Sequence, residues 1–139
     1  GEAIAESLLV MSQLTVPFIA IFIGEGGSGG ALALAMGNEV WMLENTMYSV
    51  LSPEGFASIL WKDSSRSDEA AKVMKLTPDD LFSLDVIDKI IMETRRKVAR
   101  KSDDVMLELK QGLSAKLKEL KQLTPAELVE QRQKRFRNY

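Results

Sequence analysis

Five glycines crowd into the seven positions Gly24-Glu25-Gly26-Gly27-Ser28-Gly29-Gly30. They follow directly on the apolar run Val16-Pro17-Phe18-Ile19-Ala20-Ile21-Phe22-Ile23, which reads as a strand buried on both faces. Ala31-Leu32-Ala33-Leu34-Ala35-Met36, made of strong helix formers, follows the glycines. Strand, glycine turn and helix together put several backbone N–H groups at a helix start with almost no side chains in the way. Such a place suits an anion or a developing oxyanion. Glycine is expected there because a Cβ would obstruct a positive φ or the close approach of a ligand.

The rest of the composition narrows the chemistry. The chain has 139 residues, enough for one domain or a piece of one, and its 45% hydrophobic content is ordinary for a packed core. A net charge of −2 gives no global reason to expect nucleic acid or an anionic membrane. There is no cysteine, which excludes disulfides, a thiol nucleophile and thiolate metal sites, and there is no histidine to act as base or ligand. Chemistry must therefore rest on backbone amides, carboxylates, hydroxyls or a borrowed cofactor, with no metal expected. Gly1-Glu2-Ala3-Ile4 lacks a basic leader, and no apolar run is long enough to cross a bilayer. A cytoplasmic chain that begins inside a larger protein is expected.

Along the chain, residues 2–14 read as a helix with Ile4, Leu8, Met11 and Leu14 on one face. Gly37-Asn38 stops the glycine-proximal helix. Val40–Leu43 and Met47–Leu51 read as strands. Ser52-Pro53-Glu54-Gly55 starts a helix to Trp61, with Ser52 as cap. A polar loop over 62–67, short helices over 68–74 and 77–84, and a last strand over 86–91 follow. Residues 103–121 form a longer amphipathic helix, and Thr124-Pro125-Ala126-Glu127 boxes a final one ending in Arg132, Lys134, Arg135 and Arg137. Their large polar faces suggest an appendage that packs on a partner.

The glycine turn admits three readings. It could be mere tight packing of helix on sheet. It could be a dinucleotide site of NAD(P) type: Gly24-x-Gly26-x-x-Gly29 fits the fingerprint, and Glu44 lies where a ribose-binding acid belongs. The regular βαβ units such a site needs do not continue downstream, and no Lys-Ser or Lys-Thr follows to make a Walker loop. It could be an oxyanion hole for an enolate, which asks little else of a chain without histidine or cysteine.

Several segments carry a resemblance. Ile23 through Ala33, Val40-Trp41-Met42-Leu43-Glu44-Asn45, Tyr48 through Lys62 with its Ser-Pro-Glu-Gly, and Arg132-Gln133-Lys134-Arg135-Phe136-Arg137 are similar to the α subunits of bacterial acetyl-CoA carboxylase carboxyltransferase, over essentially the whole chain and to that family's C-terminal portion. The resemblance implies an α/β, crotonase-like fold of ββα units wound in a spiral, here incomplete at the N-terminus and followed by C-terminal helices. It divides the chain into a carboxyltransferase core over 1–92 and a helical extension over 93–139. It implies carboxyl transfer from carboxybiotin on the biotin carboxyl carrier protein to acetyl-CoA, giving malonyl-CoA for fatty acid synthesis. It implies a partner β subunit, two copies of each, in a complex with biotin carboxylase, and neither membrane nor nucleic acid. Carried over by position, the amides of Gly29 and Gly30 would hold the ureido oxygen of biotin. Gly24, Glu25, Gly26, Gly27, Ser28, Ser52, Pro53, Glu54 and Gly55 would line its pocket. A non-catalytic crotonase-like assembly piece is the other outcome.

The chain departs from the family in two places. The upstream Gly-Ala-Tyr-Pro-Gly turn is absent, so activity without the missing part and the β subunit is not expected. Where the family often has Glu-Pro-Leu-Gly-Gly-Ala-His, Met92-Glu93-Thr94-Arg95-Arg96-Lys97-Val98 stands here. Arg95, Arg96, Lys97, Arg100 and Lys101 form a basic cluster, either a solvated loop or a site attracting phosphates or an acidic carrier face. Glu25 and Glu54 could orient the neighbouring turns or act as bases. Ser28 and Ser52 read as helix caps, not nucleophiles.

Overall fold

A computed structural model describes residues 1–137. Helix α1 (Glu2–Ser12) precedes strand β1 (Ile19–Phe22), then β2 (Glu25–Gly27), α2 (Ser28–Leu34), β3 (Glu39–Leu43) and β4 (Met47–Ser49). Next come α3 (Pro53–Trp61), a single 3₁₀ turn (Ser64–Arg66), α4 (Ser67–Val73), α5 (Pro78–Ser83) and β5 (Lys89–Ile91). A hairpin of β6 (Thr94–Arg95) and β7 (Val98–Ala99), α6 (Ser102–Leu120) and α7 (Pro125–Arg137) complete it. β1, β3 and β5 form one parallel sheet in that order; β2 and β4 pair parallel in a second; β6 and β7 pair antiparallel.

The strand buried on both faces is β3, not β1. Side chains alternate across a strand. Val40 and Met42 enter one core with Phe22, Ala31, Ala35, Tyr48, Leu81 and Ile87, while Trp41 and Leu43 enter the other with Ile91, Val105 and Leu109. β1 has the apolar composition expected, but it lies at the sheet edge and only Phe22 is buried. Its regular part also starts later than the apolar run: Pro17 has no N–H to offer a ladder, and the Phe18 N–H goes to the Asn38 side chain at 3.3 Å.

The ends of the chain are less detached than their polarity suggested. α6 covers one face of the sheet through Val105 and Leu109, and Leu128 of α7 is buried. Two of the terminal cations serve tertiary contacts, not a dipole: Arg132 is 1% exposed, and Arg135 donates to the Val86 carbonyl at 2.7 Å and pairs with Asp88. The expected caps at Ser52, Thr77 and Thr124 are in place, donated to by the backbone N–H groups of Gly55, Asp80 and Glu127. The 62–67 loop contains the 3₁₀ turn, capped by Asp63.

No glycine among the described residues has a positive φ. The left-handed positions go instead to Ser28, Lys62, Lys75, Asp85, Arg96 and Lys97. Each such non-glycine residue costs roughly 1–2 kcal/mol. Lys62 ends α3, where a left-handed cap is a common stop.

Candidate functional site

β1, β3 and β5 are parallel, so their carboxyl ends share one edge of the sheet. Open α/β sheets bind ligands at that edge. The chain leaves β1 through Ile23 and Gly24 and immediately forms β2, in register with β4 at Glu25↔Met47, Gly26↔Tyr48 and Gly27↔Ser49. The glycine run is therefore a short strand followed by an elbow, not one continuous turn. The Gly24 carbonyl accepts from Met47 N at 3.2 Å and fixes the start of that strand.

Three glycines have separate reasons. A Cβ on Gly26 would sit 2.0 Å from the Phe22 ring, which stacks on Tyr48 at 4.6 Å. A Cβ on Gly29 would lie 2.8 Å from Ile4 of α1. A Cβ on Gly30 would meet nothing within 4 Å. Gly26 lets β2 approach the core, Gly29 lets α1 cross α2, and Gly30 leaves space open.

The bend itself falls on Ser28, at φ 66°. Ser28 caps nothing: Gly27 holds the cap position of α2, with no side-chain bond. The expectation of a capping serine fails because the left-handed backbone makes Ser28 the first residue of the helix. Gly26-Gly27-Ser28-Gly29-Gly30 has the G-x-S-x-G form of a strand–elbow–helix, a signal in the sequence that points to this geometry. This chain has no histidine of its own to activate the hydroxyl. The N–H groups of Ser28, Gly29 and Gly30 precede the first carbonyl that an α-helix can offer them, so they have no acceptor within α2.

Two clefts flank the elbow. One of about 590 Å³ runs along β1 and is lined by Phe18 through Gly27, Ala31 and Leu34. Among the described residues β1 has no neighbour on its outer side, so this groove has the shape of a strand. The other, about 290 Å³, gathers Glu25, Gly26, Gly27, Ser28, Ser52 and Pro53, together with Ser49 and Leu76. It is the smaller, but it joins the elbow to the Ser-Pro-Glu-Gly segment, so it is the better candidate for a small polar group. Gly24 lines only the first cleft; Glu54 and Gly55 stand in the first turn of α3, and Gly29 and Gly30 in that of α2, outside both linings. Ser49 and Leu76 had no signal in the sequence, because only tertiary pairing brings them to the elbow.

Glu44 is not a free ribose-binding acid. Its carboxylate accepts from Glu93 N at 2.8 Å, Thr94 N at 2.7 Å and the Thr94 hydroxyl at 2.7 Å. These bonds, the Thr94 hydroxyl foremost, hold its pKa below the usual glutamate range, against a smaller opposing effect of burial. The fingerprint fails too: Gly26 and Gly27 lie in a strand, and the strand entering α2 is β2, outside the main sheet. A lowered folded pKa means that Glu44 stabilises the fold above the ordinary value of 4.5 and loses that contribution as pH falls through the folded value. Glu44→Gln should therefore lower stability at neutral pH and flatten its decline below about pH 4.5. Urea denaturation at stepped pH checks this; an undiminished acid slope would show that Glu44 contributes nothing. Asp63, lowered by the Ser65 hydroxyl, leaves part of the slope in place.

The parallel sheet, the small second sheet at its carboxyl edge and the glycine elbow make this a crotonase-like α/β fold. Solved structures share it. A Pseudomonas malonate decarboxylase hetero-tetramer in complex with coenzyme A aligns at TM-score 0.67 and 19% identity, over 86% of this chain and 48% of that one. A probable enoyl-CoA hydratase from Mycobacterium smegmatis aligns at 0.52 and 16% identity, over 91% and 50%. The family is given by the sequence: the chain belongs to the acetyl co-enzyme A carboxylase carboxyltransferase-like family, whose model matches residues 1–139. Acetyl-coenzyme A carboxylase carboxyl transferase subunit alpha of Streptococcus gordonii is 55% identical over 139 residues, 100% of this chain and 53% of that protein. The Streptococcus pneumoniae protein of the same name is also 55% identical over the same shares. The chain thus spans about half the length of the curated relatives it matches.

Proposed function

We propose that this chain is part of an acetyl-CoA carboxylase carboxyltransferase α subunit, taking the carboxyl group from carboxybiotin on a biotin carboxyl carrier protein and passing it to acetyl-CoA, to give malonyl-CoA. The proposal includes a β subunit partner, two copies of each, a complex with biotin carboxylase and a cytoplasmic location. It also includes a catalytic core over 1–92 and a helical extension over 93–139. The relatives' printed names and the family carry the reaction class.

The observation that carries the site is the elbow: consecutive amides without a helical acceptor, beside an open cleft, in a chain with neither histidine nor cysteine. Biotin supplies the carboxyl donor and, once relieved of it, the basicity that acetyl-CoA requires. The chain's part is to hold charge. In this proposal Gly29 and Gly30 N–H donate to the ureido oxygen as negative charge gathers there, at about 3 kcal/mol per well-aimed donor. Glu25, Gly26, Gly27, Ser28, Ser52 and Pro53 form the cleft beside them, Gly24 lies in the neighbouring groove, and Glu54 and Gly55 buttress Ser52 and Pro53 from the first turn of α3. Ser28 sets the direction of the amides by accepting the left-handed bend.

Gly30 is the clean probe, because Gly29 is pressed against Ile4. Gly30→Ala in the assembled enzyme should leave stability unchanged or raised by about 0.5–1 kcal/mol, alanine being the better helix former. In this proposal a methyl on the donor residue itself would crowd the oxygen that the Gly30 N–H holds and lower kcat by about 100-fold. Malonyl-CoA formation, measured beside a thermal melt, separates the two effects. Normal turnover in a folded Gly30→Ala enzyme would remove the oxyanion assignment.

A further inference from the structure

We propose that the β6–β7 hairpin docks an acidic protein surface, that of the biotin-bearing carrier as it presents its group to the elbow. This rests on the carboxyltransferase reading. The basic segment, which in sequence reads either as a solvated loop or as a site for phosphates or an acidic carrier face, folds into a hairpin whose two turn residues, Arg96 and Lys97, both have positive φ (52° and 65°). A two-residue hairpin of that kind strongly favours Asn-Gly. Here the strained positions carry two cations, and strain of this sort concentrates at functional surfaces.

Arg95, Arg96, Lys97 and Lys101 are exposed, and none has an ion pair among the described residues. The nearby acids are engaged or set apart. Glu44 and Glu93 accept from the backbone of the connecting segments, and Glu108 pairs with Arg100, which also donates to the Met92 carbonyl. Asp103 and Asp104 stand in the first turn of α6, beyond Lys101. The tip therefore keeps a local positive field on a chain of net charge −2.

Shape and neighbours favour a protein over a small anion. Small ligands are held in concave sites, and the cleft of about 280 Å³ at the base of the hairpin, lined by Glu93, Thr94, Ala99 and Arg100 among others, takes in none of Arg95, Arg96, Lys97 and Lys101, which stand exposed outside it. Val98 lies opposite Arg95 in the ladder and is 67% exposed; Met92 and Met106 are exposed beside the hairpin. Cations around apolar side chains are the make-up of a protein interface. The hairpin also leaves β5 at its carboxyl end, the edge that carries the elbow at the end of β1. With order β1-β3-β5, two strand spacings of ~4.8 Å separate the two roots by about 10 Å. Hairpin and elbow thus spring from the same edge of the sheet.

The test uses the assembled enzyme with its full-length subunits. Arg96→Asn/Lys97→Gly removes two charges and supplies the turn the backbone favours, so the hairpin should fold at least as well. At low salt the KM for the biotinylated carrier should rise about tenfold, with the difference closing as salt is raised. Turnover of free biotin should stay within about twofold, because free biotin brings no acidic face. Arg96→Lys, which keeps the charge, should keep the carrier KM. An unchanged carrier KM overturns the proposal, as does an equal loss with carrier and free biotin. A rise in the KM for acetyl-CoA alone would assign the cations to its phosphates and also overturn it. A wild-type enzyme that uses neither carrier nor free biotin fails the carboxyltransferase reading itself, and this inference with it.

Discussion

Gly26→Ala is expected to destabilise the protein by about 3 kcal/mol, the upper part of the range for overpacking a filled core. The added methyl would lie 2.0 Å from one Phe22 ring carbon and 2.2 Å from another. The ring cannot simply swing away: Phe22 is buried, stacked on Tyr48, and shares its core with Ala31, Ala35, Val40 and Met42. Either β2 moves off β1, which breaks its register with β4, or the ring moves and the core opens. Gly24→Ala is the matching control, since a Cβ there meets nothing within 4 Å. Urea midpoints of the two variants should differ widely. Phe22→Leu in the Gly26→Ala background should recover part of the loss, because the shorter side chain vacates the contested space; two mutations in contact couple in this way. Equal midpoints for Gly24→Ala and Gly26→Ala would show that the elbow is not packed against Phe22.

The same contrast shows what the sequence could convey. Composition and periodicity located nearly every helix, because caps such as Ser52, Thr77 and Thr124 act locally on the next three residues. The glycine run marked the elbow, but not how it is built. A residue's neighbours in sequence do not reveal that Gly26 faces Phe22, that Gly29 faces Ile4, or that the bend falls on Ser28. The apolar run at 16–23 announced a strand correctly, yet its place at the sheet edge is a matter of topology, and β3, with fewer apolar residues in a row, took the centre. Two-residue strands were out of reach: β6 and β7 exist through pairing, with Arg-Lys in a turn that favours other residues. The site was legible as a set of backbone amides because glycine density is itself chemical information. Ser49 and Leu76 were not legible, since only the pairing of β2 with β4 and the folding of residues 74–77 beside them supply the cleft wall.

The largest effect expected outside the glycine run is at Asn38, a residue that the sequence offered only as a helix stop. Asn38 is 3% exposed and joins three elements. Its side-chain oxygen accepts from Phe18 N at 3.3 Å and from Arg132 Nη1 at 2.9 Å, while its Nδ2 donates to the Leu128 carbonyl at 3.1 Å and to Gln131 Oε1 at 2.8 Å. Arg132 already has Nε and Nη2 buried without a partner, and burial lowers its pKa. Removing its closest acceptor leaves a guanidinium charge held by the Val16 carbonyl at 3.3 Å and the face of Phe18 at 5.4 Å. Taking the closest neutral acceptor from a buried guanidinium costs about 1.5–3 kcal/mol, and the Phe18 N–H and the Leu128 carbonyl each lose a partner worth about 1 kcal/mol. Asn38→Ala should therefore cost about 3–5 kcal/mol and release α7 from the β1–β3 side of the molecule. If the stranded charge is the cause, Arg132→Met should rescue it: an apolar side chain of similar length fills the space with nothing left to satisfy. Asn38→Ala/Arg132→Met is expected to be more stable than Asn38→Ala alone, which a denaturant series on the four proteins of the cycle measures directly. A double variant no better than the single one would place the loss in the bonds to Leu128 and Gln131 instead, and would leave the orphaned guanidinium nitrogens of Arg132 energetically silent.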